Sequence, residues 1–441
     1  MVTRRSLVGG GMALAGTAAL PQQAEAAEAG AFVTRNGTGF RLRGKPYRYA
    51  GANMWYAAWI GAPEAPGDRD RLRRELDRLA ATGVTNLRIA ASAEEGPLEH
   101  SVTPGFRGKG TDWNANLLRG LDFALAELAR RDMKAVLYLT NFWEWSGGMM
   151  AYLWYATGRY MNAGDPDHPW PEFPNAVSEF YRNAQAVGMY RDWIRALLRR
   201  TNAETGTRYR DDPTIMAWQL ANEPRPAGDM ATAEPVLAAF HHWVGSTARL
   251  IKSLAPRHLV STGSEGLQGT LGSRAVYERE HAIAEIDYCT AHIWPLNWNW
   301  VDDHDLAGSE AEGAAKVGEY FARMSDLARK IGKPLVFEEF GYPRDGGGYD
   351  PAGSTRFKDA FYSRIYDAIE RDIASGGPVC GSNFWAWNGE GRAAHGDHRW
   401  RPGDPLLGDP PHEPQGWYGV FDSDDGTRAV VKAHADALRR V

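Results

Sequence analysis

The chain is poor in cysteine, in charge of one sign and in long apolar runs, and each shortage removes a class of protein. Cys289 and Cys380 are its only two cysteines in 441 residues, so no disulfide framework holds the fold, and both read as small buried hydrophobes. Lys and Arg number 50 against 55 Asp and Glu, a formal charge of −5 and a pI near 6.2 with no basic run. Such a surface argues against nucleic acid as a partner. Hydrophobic residues at 43% and charged residues at 24% argue against disordered, fibrous and polytopic membrane classes. The one apolar stretch near the start, residues 7–20, is too short and too rich in Gly and Ala to span a bilayer. With the Arg4-Arg5 pair before it and Ala24-Glu25-Ala26 after it, this stretch resembles a twin-arginine export signal. The expectation is a signal over residues 1–26 and a single mature domain over 27–441, outside the cytoplasm.

No Pro/Ser linker, low-complexity tract or short repeat divides that domain. Short apolar runs instead alternate with long amphipathic segments, the pattern of a parallel α/β fold. Expected strands are 47–51, 84–89, 135–139, 215–220, 259–261, 288–291, 335–337 and 382–385; expected helices include 68–82, 114–131, 175–200, 310–331 and 354–375. Eight strands each followed by a helix predict a (β/α)8 TIM barrel, preceded by a hairpin over 32–43 that turns at Asn36-Gly37. A doubly wound open sheet is the alternative, but no Gly-x-Gly-x-x-Gly follows the first strand.

Several chemistries are missing as well. There is no His-Glu-x-x-His and no Gly-x-Ser-x-Gly, and the two cysteines are not spaced as zinc ligands. His395-x-x-His398 reads as a solvated loop, Gly263-Ser264-Glu265-Gly266 as a plain loop after the fifth strand, and residues 105–110 as a flexible loop. No cofactor or metal is implied.

Barrel enzymes place their chemistry at the C-terminal ends of the strands. Read there, the first strand leads to Asn53, Trp55, Tyr56 and Trp59; the second ends at Arg88; the third runs into Asn141, Trp143, Glu144 and Trp145. The fourth ends in Asn222-Glu223-Pro224, the sixth in His292 and Trp294, the seventh in Glu338-Glu339-Phe340-Gly341, the eighth in Trp385 and Trp387. Carboxylates at such places are costly to desolvate unless paired or used. Glu223 and Glu339 lie 339 − 223 = 116 residues apart, so only a fold that joins the fourth and seventh strand ends can pair them. A pair of carboxyl groups across one bond is what glycoside hydrolysis needs. The bland alternative is two surface glutamates capping helices or pairing with Arg. Tryptophan, at 17 against 15 Phe, favours the sugar reading, because flat rings stack on the apolar faces of pyranoses. By the expected boundaries, 14 of the 17 lie at or after strand C-terminal ends.

Together Asn222-Glu223-Pro224, Glu339-Phe340-Gly341, Arg88, His292-x-Trp294 and Phe384-Trp385 resemble glycoside hydrolase family 5, and most its bacterial β-mannanases. The resemblance runs from Phe32 to about Val430 and implies a retaining double displacement. In it Glu339 is the nucleophile and Glu223 the acid and then the base. Arg88, Asn141, Trp143, Asn222, His292, Trp294 and Trp385 form the implied substrate-binding set. Within it Arg88 donates to Glu339 and keeps it ionised, Asn222 holds the 2-hydroxyl or the nucleophile, His292 orients a carboxylate, and Trp385 floors the attacked sugar. Strand alternation sends Glu338 and Glu339 to opposite faces, and the resemblance selects Glu339. Trp294 stands where the family commonly has a Tyr that bonds the nucleophile. The implied activity is endo-β-1,4-mannanase action on mannan, glucomannan or galactomannan, with a β-mannan poly- or oligosaccharide as partner and neither nucleic acid nor membrane. A cellulase, an exo-β-mannosidase or a silent carbohydrate-binding barrel are the alternatives. The aromatic tracts 141–174 and 294–300 are expected to wall a groove, with about half of the first tract's rings serving only to pack it.

Overall fold

Eight short, wholly buried segments account for the centre of the protein. The computed structural model describes residues 31–110 and 112–440; the expected export signal lies outside them. Three short strands come first: β1 (Thr34–Asn36), β2 (Gly39–Leu42) and β3 (Lys45–Tyr47). The barrel strands follow: β4 (Tyr49–Asn53), β5 (Asn86–Ala90), β6 (Lys134–Tyr138), β7 (Ile215–Gln219), β8 (Leu259–Ser261), β9 (Cys289–Ile293), β10 (Leu335–Phe340) and β11 (Val379–Phe384). Every residue in these eight is buried, as parallel strands covered on both faces must be.

All neighbours in the sheet are parallel, in the order β8-β7-β6-β5-β4-β11-β10-β9. The first strand of the set thus pairs with the last, which a barrel requires and a doubly wound sheet does not produce. Between β8 and β9 the wall is completed by single bonds, Asp287 N–H to Val260 O at 2.7 Å and His292 N–H to Glu265 O at 3.0 Å.

The helices start where side chains satisfy their free N–H groups. Asp68 caps Arg69–Ala81 and Asn114 caps Ala115–Arg130. The expected helix over 175–200 is instead broken. Glu172–Ser178 and a short 3-10 turn precede Asn183, whose extended backbone and side chain, bonded to the N–H groups of Gln185 and Ala186, begin a new helix at Ala184–Arg199. The expected hairpin forms with Asn36 opposite Gly39 and gains β3 as a third strand. Its Val33 and Phe40 pack with Val136, Met216, Leu259 and Val336 into a separate apolar cluster at the N-terminal end of the barrel. That plug leaves the opposite mouth for polar work. Cys289 and Cys380 are buried and unpaired.

Two long excursions rise from the C-terminal mouth. The first, after β6, contains a 3-10 turn at Glu144–Ser146 and an apolar helix at Gly148–Thr157. Tyr152 and Tyr155 of this helix are buried, Tyr152 lying edge-on to Tyr190 at 6.1 Å. The second, after β11, runs from β12 (Trp387–Gly389) to β13 (Val420–Phe421). It is organised around buried Asp409, which accepts bonds from the Asn388 side chain and the backbone N–H groups of Gly416, Tyr418 and Gly419 at 2.8–2.9 Å.

Candidate active site

Arg88 lies at the centre of the barrel, fully buried on β5. A guanidinium there needs a partner for each donor. Nη1 donates to Glu339 and, at 3.1 Å, to Asn53 Oδ1; Nη2 donates to Asn222 Oδ1 at 2.7 Å; Nε donates to Gln219 Oε1 at 2.7 Å. The expected bond to Glu339 is therefore present. Glu338 Oε2 lies 4.0 Å from Nε.

That last contact overturns the expectation from alternation. The pairing of β10 with β9 shifts between Phe337 and Glu339, a bulge that leaves Glu338 without an opposite residue. As a result both glutamates turn toward the barrel axis. Glu338 is bonded by the Gln219 amide and, at 3.3 Å, by Tyr288, while Glu339 opens onto the cleft.

Glu223 follows β7 at a bend where its own φ is +48°, a left-handed conformation uncommon for a residue with a side chain. Its N–H bonds Gly263 O at 3.0 Å. Gly263, at φ +77°, is required for this approach, because a Cβ there would stand 1.9 Å from Ala221 O. The Glu223 carboxylate accepts from the Trp143 indole at 2.5 Å and lies 2.6 Å from His292 Nδ1, which is also 3.3 Å from Glu339 Oε2. One oxygen of each glutamate and a nitrogen of His292 fall within 4.8 Å of one another. Retaining glycosidases hold their carboxyl groups about 5–5.5 Å apart and inverting ones about 6.5–9.5 Å, and this close approach agrees with the retaining arrangement.

Burial raises both carboxyls. For Glu339 it is opposed chiefly by Arg88 and reinforced by Glu223; for Glu223 it is opposed by Arg225, the Trp143 N–H and Arg88. Burial holds His292 well below its ordinary range, with Arg88 acting in the same direction. Burial thus favours the neutral form of the imidazole between the glutamates, and its Nε2 has no partner among the described residues.

The cleft above the pair has a volume of about 650 Å³. Six tryptophans line it: Trp143, Trp145, Trp170, Trp294, Trp298 and Trp385. Of the expected set, Trp143, Asn222, Trp294 and Trp385 face it together with both glutamates. Arg88, Asn141 and His292 do not line it. They are buried directly behind the lining, in bonding distance of groups that form it. Asn141 accepts from Asn222 Nδ2 at 3.1 Å and from Trp143 N–H at 3.0 Å. Asn222 bonds Arg88 and Asn141, not Glu339. Trp294 lies in the cleft wall beside Glu223, whose anionic form it favours.

Arg225, Glu265, His412 and Glu413 are among the lining residues that the sequence reading did not mark as functional. Arg225 bonds Glu265, whose other oxygen accepts from the Trp298 indole at 3.0 Å, and the guanidinium lies over Trp143 at 5.1 Å. Both were legible as charged groups beside strand ends, Arg225 directly after Asn-Glu-Pro and Glu265 in the loop taken as plain. His412 lies parallel to Trp145 at 6.4 Å, and Glu413, raised by burial, adjoins it. No local signal marks these two, since only the Asp409 loop brings them to the cleft. His395 and His398 hold that loop, bonding Asp404 and Gln415 O.

Set side by side with known proteins, residues 30–441 match the family described as GH family 5 beta-mannosidase-like. Mannan endo-1,4-beta-mannosidase 7 of Arabidopsis thaliana is 30% identical over 382 residues, 84% of this chain and 79% of the relative. A glycoside hydrolase family 5 mannosidase from Rhizomucor miehei superposes with a TM-score of 0.84 at 33% identity, over 93% of this chain and 98% of that one; a mutant of it has been solved with mannosyl-fructose. The endo-1,4-beta-mannanase of the same organism, at 21% identity and a TM-score of 0.67 over 93% of this chain and 100% of that one, shares the fold.

The buried Glu338 carboxyl predicts a pH effect on stability. Burial pushes it up from 4.5 to about 7, so the folded protein holds this proton more tightly than the unfolded chain. The resulting stabilisation is complete below about pH 4.5 and is lost as the pH rises through about 7. The stability of the parent relative to Glu338→Gln should therefore fall between pH 5 and pH 8, by up to roughly 3 kcal/mol. Thermal midpoints measured across that range would run parallel for the two proteins if Glu338 were ionised throughout.

Proposed function

The chain belongs to glycoside hydrolase family 5, in its β-mannosidase-like branch, and from that premise we propose that it hydrolyses internal β-1,4-mannosidic bonds of mannan, glucomannan or galactomannan with retention of configuration. The observation that carries the mechanism is the Glu223–His292–Glu339 cluster on the floor of a tryptophan-walled cleft. Arg88 biases ionisation toward Glu339, which attacks the anomeric carbon and forms the covalent glycosyl-enzyme. Glu223 holds the proton, gives it to the leaving oxygen and then takes one from the attacking water. His292, neutral and between the two carboxyls, steadies Glu223 in both roles. Asn222, fixed by Arg88 and Asn141, presents its amide to the sugar at the attacked position. Trp385 provides the platform under that sugar, and Arg225 and Glu265 supply hydroxyl partners along the cleft.

Endo action is supported by the mannan endo-1,4-beta-mannosidase among the relatives. A second reading, removal of single mannose units from a chain end, is favoured by the Asp409 loop, which brings Pro410, His412 and Glu413 into the cleft wall, and by the similar solved mannosidase. Export through the twin-arginine route is supported by Arg4-Arg5, the apolar stretch after it and Ala24-Glu25-Ala26.

Glu223→Ala should lower turnover of mannan by about 10³-fold but leave an aryl mannoside with a good leaving group reactive, and azide should then speed release as the β-mannosyl azide. No azide effect, or parental turnover, would remove Glu223 from the acid/base role. Early products from mannohexaose separate the two modes: mannotriose, or mannobiose with mannotetraose, is expected, whereas mannose with mannopentaose from the first minutes would establish the exo mode. A reporter fused to residues 1–26 should leave the bacterial cytoplasm and stay inside when Arg4 and Arg5 are both Lys; equal export of the two would contradict the route.

A further inference from the structure

Large aromatic side chains are seldom left in water on this protein. Among the described residues only three large hydrophobics are exposed, and two of them, Tyr160 at 48% and Trp170 at 63%, lie on the same segment. That segment follows helix Gly148–Thr157, and it has two working faces. On one, Ala163 and Trp170 line the catalytic cleft, Trp170 extending the ring of Trp143 at 6.4 Å and 27°. On the other, Tyr160, Met161 and His168 line a second cavity of about 780 Å³, comparable in size to the cleft.

The second cavity has the mixed chemistry of a sugar site. Leu153 and Met161 make an apolar floor, and Tyr160 offers a ring with much of its surface free. Around them stand hydrogen-bonding groups, Arg159, Arg182 and His168. The Arg159 side chain has no hydrogen-bond or ion-pair partner among the described residues, while Arg182 reaches Pro235 O and His168 lies 3.0 Å from Glu172. Flat ring, aliphatic floor and fork-shaped donors are what pyranose recognition uses. Carboxylates offset the cations of this wall, Arg182 lying 3.6 Å from Glu179 and His168 beside Glu172, which leaves little net charge to hold a nucleotide or an acidic peptide.

We propose that this cavity is a second glycan-binding site, which holds a part of the mannan chain remote from the bond being cut. The inference rests on the mannan reading above and extends it. A polymer long enough to cross the 163–170 wall engages both faces at once, and the second contact adds to the first through effective concentration. A short oligosaccharide that fills only the cleft gains nothing from it. The site thus separates polymer from oligomer, and it explains why this segment keeps the Tyr160 ring exposed on the face away from the cleft.

The test compares the parent with Tyr160→Ala, Tyr160→Phe and Arg159→Ala on two substrates. For Tyr160→Ala, KM on soluble galactomannan should rise about fivefold, and depletion from solution by insoluble β-mannan at 4 °C should fall by a similar factor. Its kcat/KM on mannotetraose should match the parent. Tyr160→Phe keeps the ring and should behave as the parent, and Arg159→Ala should weaken polymer binding alone. Parental binding and polymer KM in Tyr160→Ala would overturn the proposal, and so would an equal loss on mannotetraose, which would place Tyr160 in the fabric of the cleft. A parent inactive on mannotetraose and galactomannan alike would overturn both this site and the mannan reading.

Discussion

One buried cation organises the catalytic mouth. Removing a guanidinium from water costs several kcal/mol, and leaving any of its donors unmatched costs more. Arg88 is fully buried and draws partners from four elements: Asn53 at the end of β4, Gln219 at the end of β7, Asn222 just beyond it and Glu339 on β10. Each partner is then committed in turn. Asn53 also donates to Glu338 O at 2.8 Å, which pins the backbone of the bulge. Gln219 bonds Glu338, and Asn222 bonds Asn141. The constraint therefore spreads from one side chain to every strand end that carries chemistry. It also explains polar residues in a barrel interior that would otherwise be apolar.

The same cation makes two similar residues different. Glu223 and Glu339 are both buried and close enough to repel when both are charged. Glu339 bonds Arg88 directly, whereas Glu223 is bonded by the imidazole of His292 and the indole of Trp143 and feels Arg225 only through space. Neutral donors favour an anion less than a guanidinium does. Burial raises both carboxyls, Glu339 the further with Glu223 adding to its rise; Arg88 opposes that rise for Glu339, and Arg225 with the Trp143 N–H opposes it for Glu223.

The strand ends were legible because each barrel strand is a short apolar run closed by a residue with no reason to be buried except use. Arg88, Glu223 and Glu339 all stand out in that way, and one closed sheet brings them together. The side to which Glu339 turns was not legible from alternation, because the bulge depends on the register between β10 and β9, whose facing Glu339 and His292 lie 339 − 292 = 47 residues apart. Asn183 shows the complementary failure. The helical period continues through it, yet its side chain is worth more to the N–H groups of the next helix than its backbone is to the previous one. Arg225 and Glu265 could have been read from the sequence, since they adjoin strand ends. Glu413 could not, because about 30 residues of irregular loop separate it from β11 and only the bonds of Asp409 decide where it lands.

The tryptophan excess has a physical reason beyond sugar stacking. Six of the rings line the cleft, but others on the same face are buried as anchors. Trp55 donates to Gly408 O at 2.8 Å, Trp59 to Pro104 O at 2.7 Å and Trp387 to Glu75 at 2.9 Å. Long loops over a barrel mouth must bury apolar area to stay down, and they also carry backbone carbonyls that need donors. Phenylalanine meets the first demand only. An indole meets both with one side chain, placing a single directed N–H at the edge of a large apolar surface. Even within the cleft the donor is used, by Glu223 from Trp143 and by Glu265 from Trp298. The rings that face the sugar are thereby locked in orientation by the carboxylates they serve. A groove built this way is rigid before substrate arrives, so ordering its walls costs little when the glycan binds.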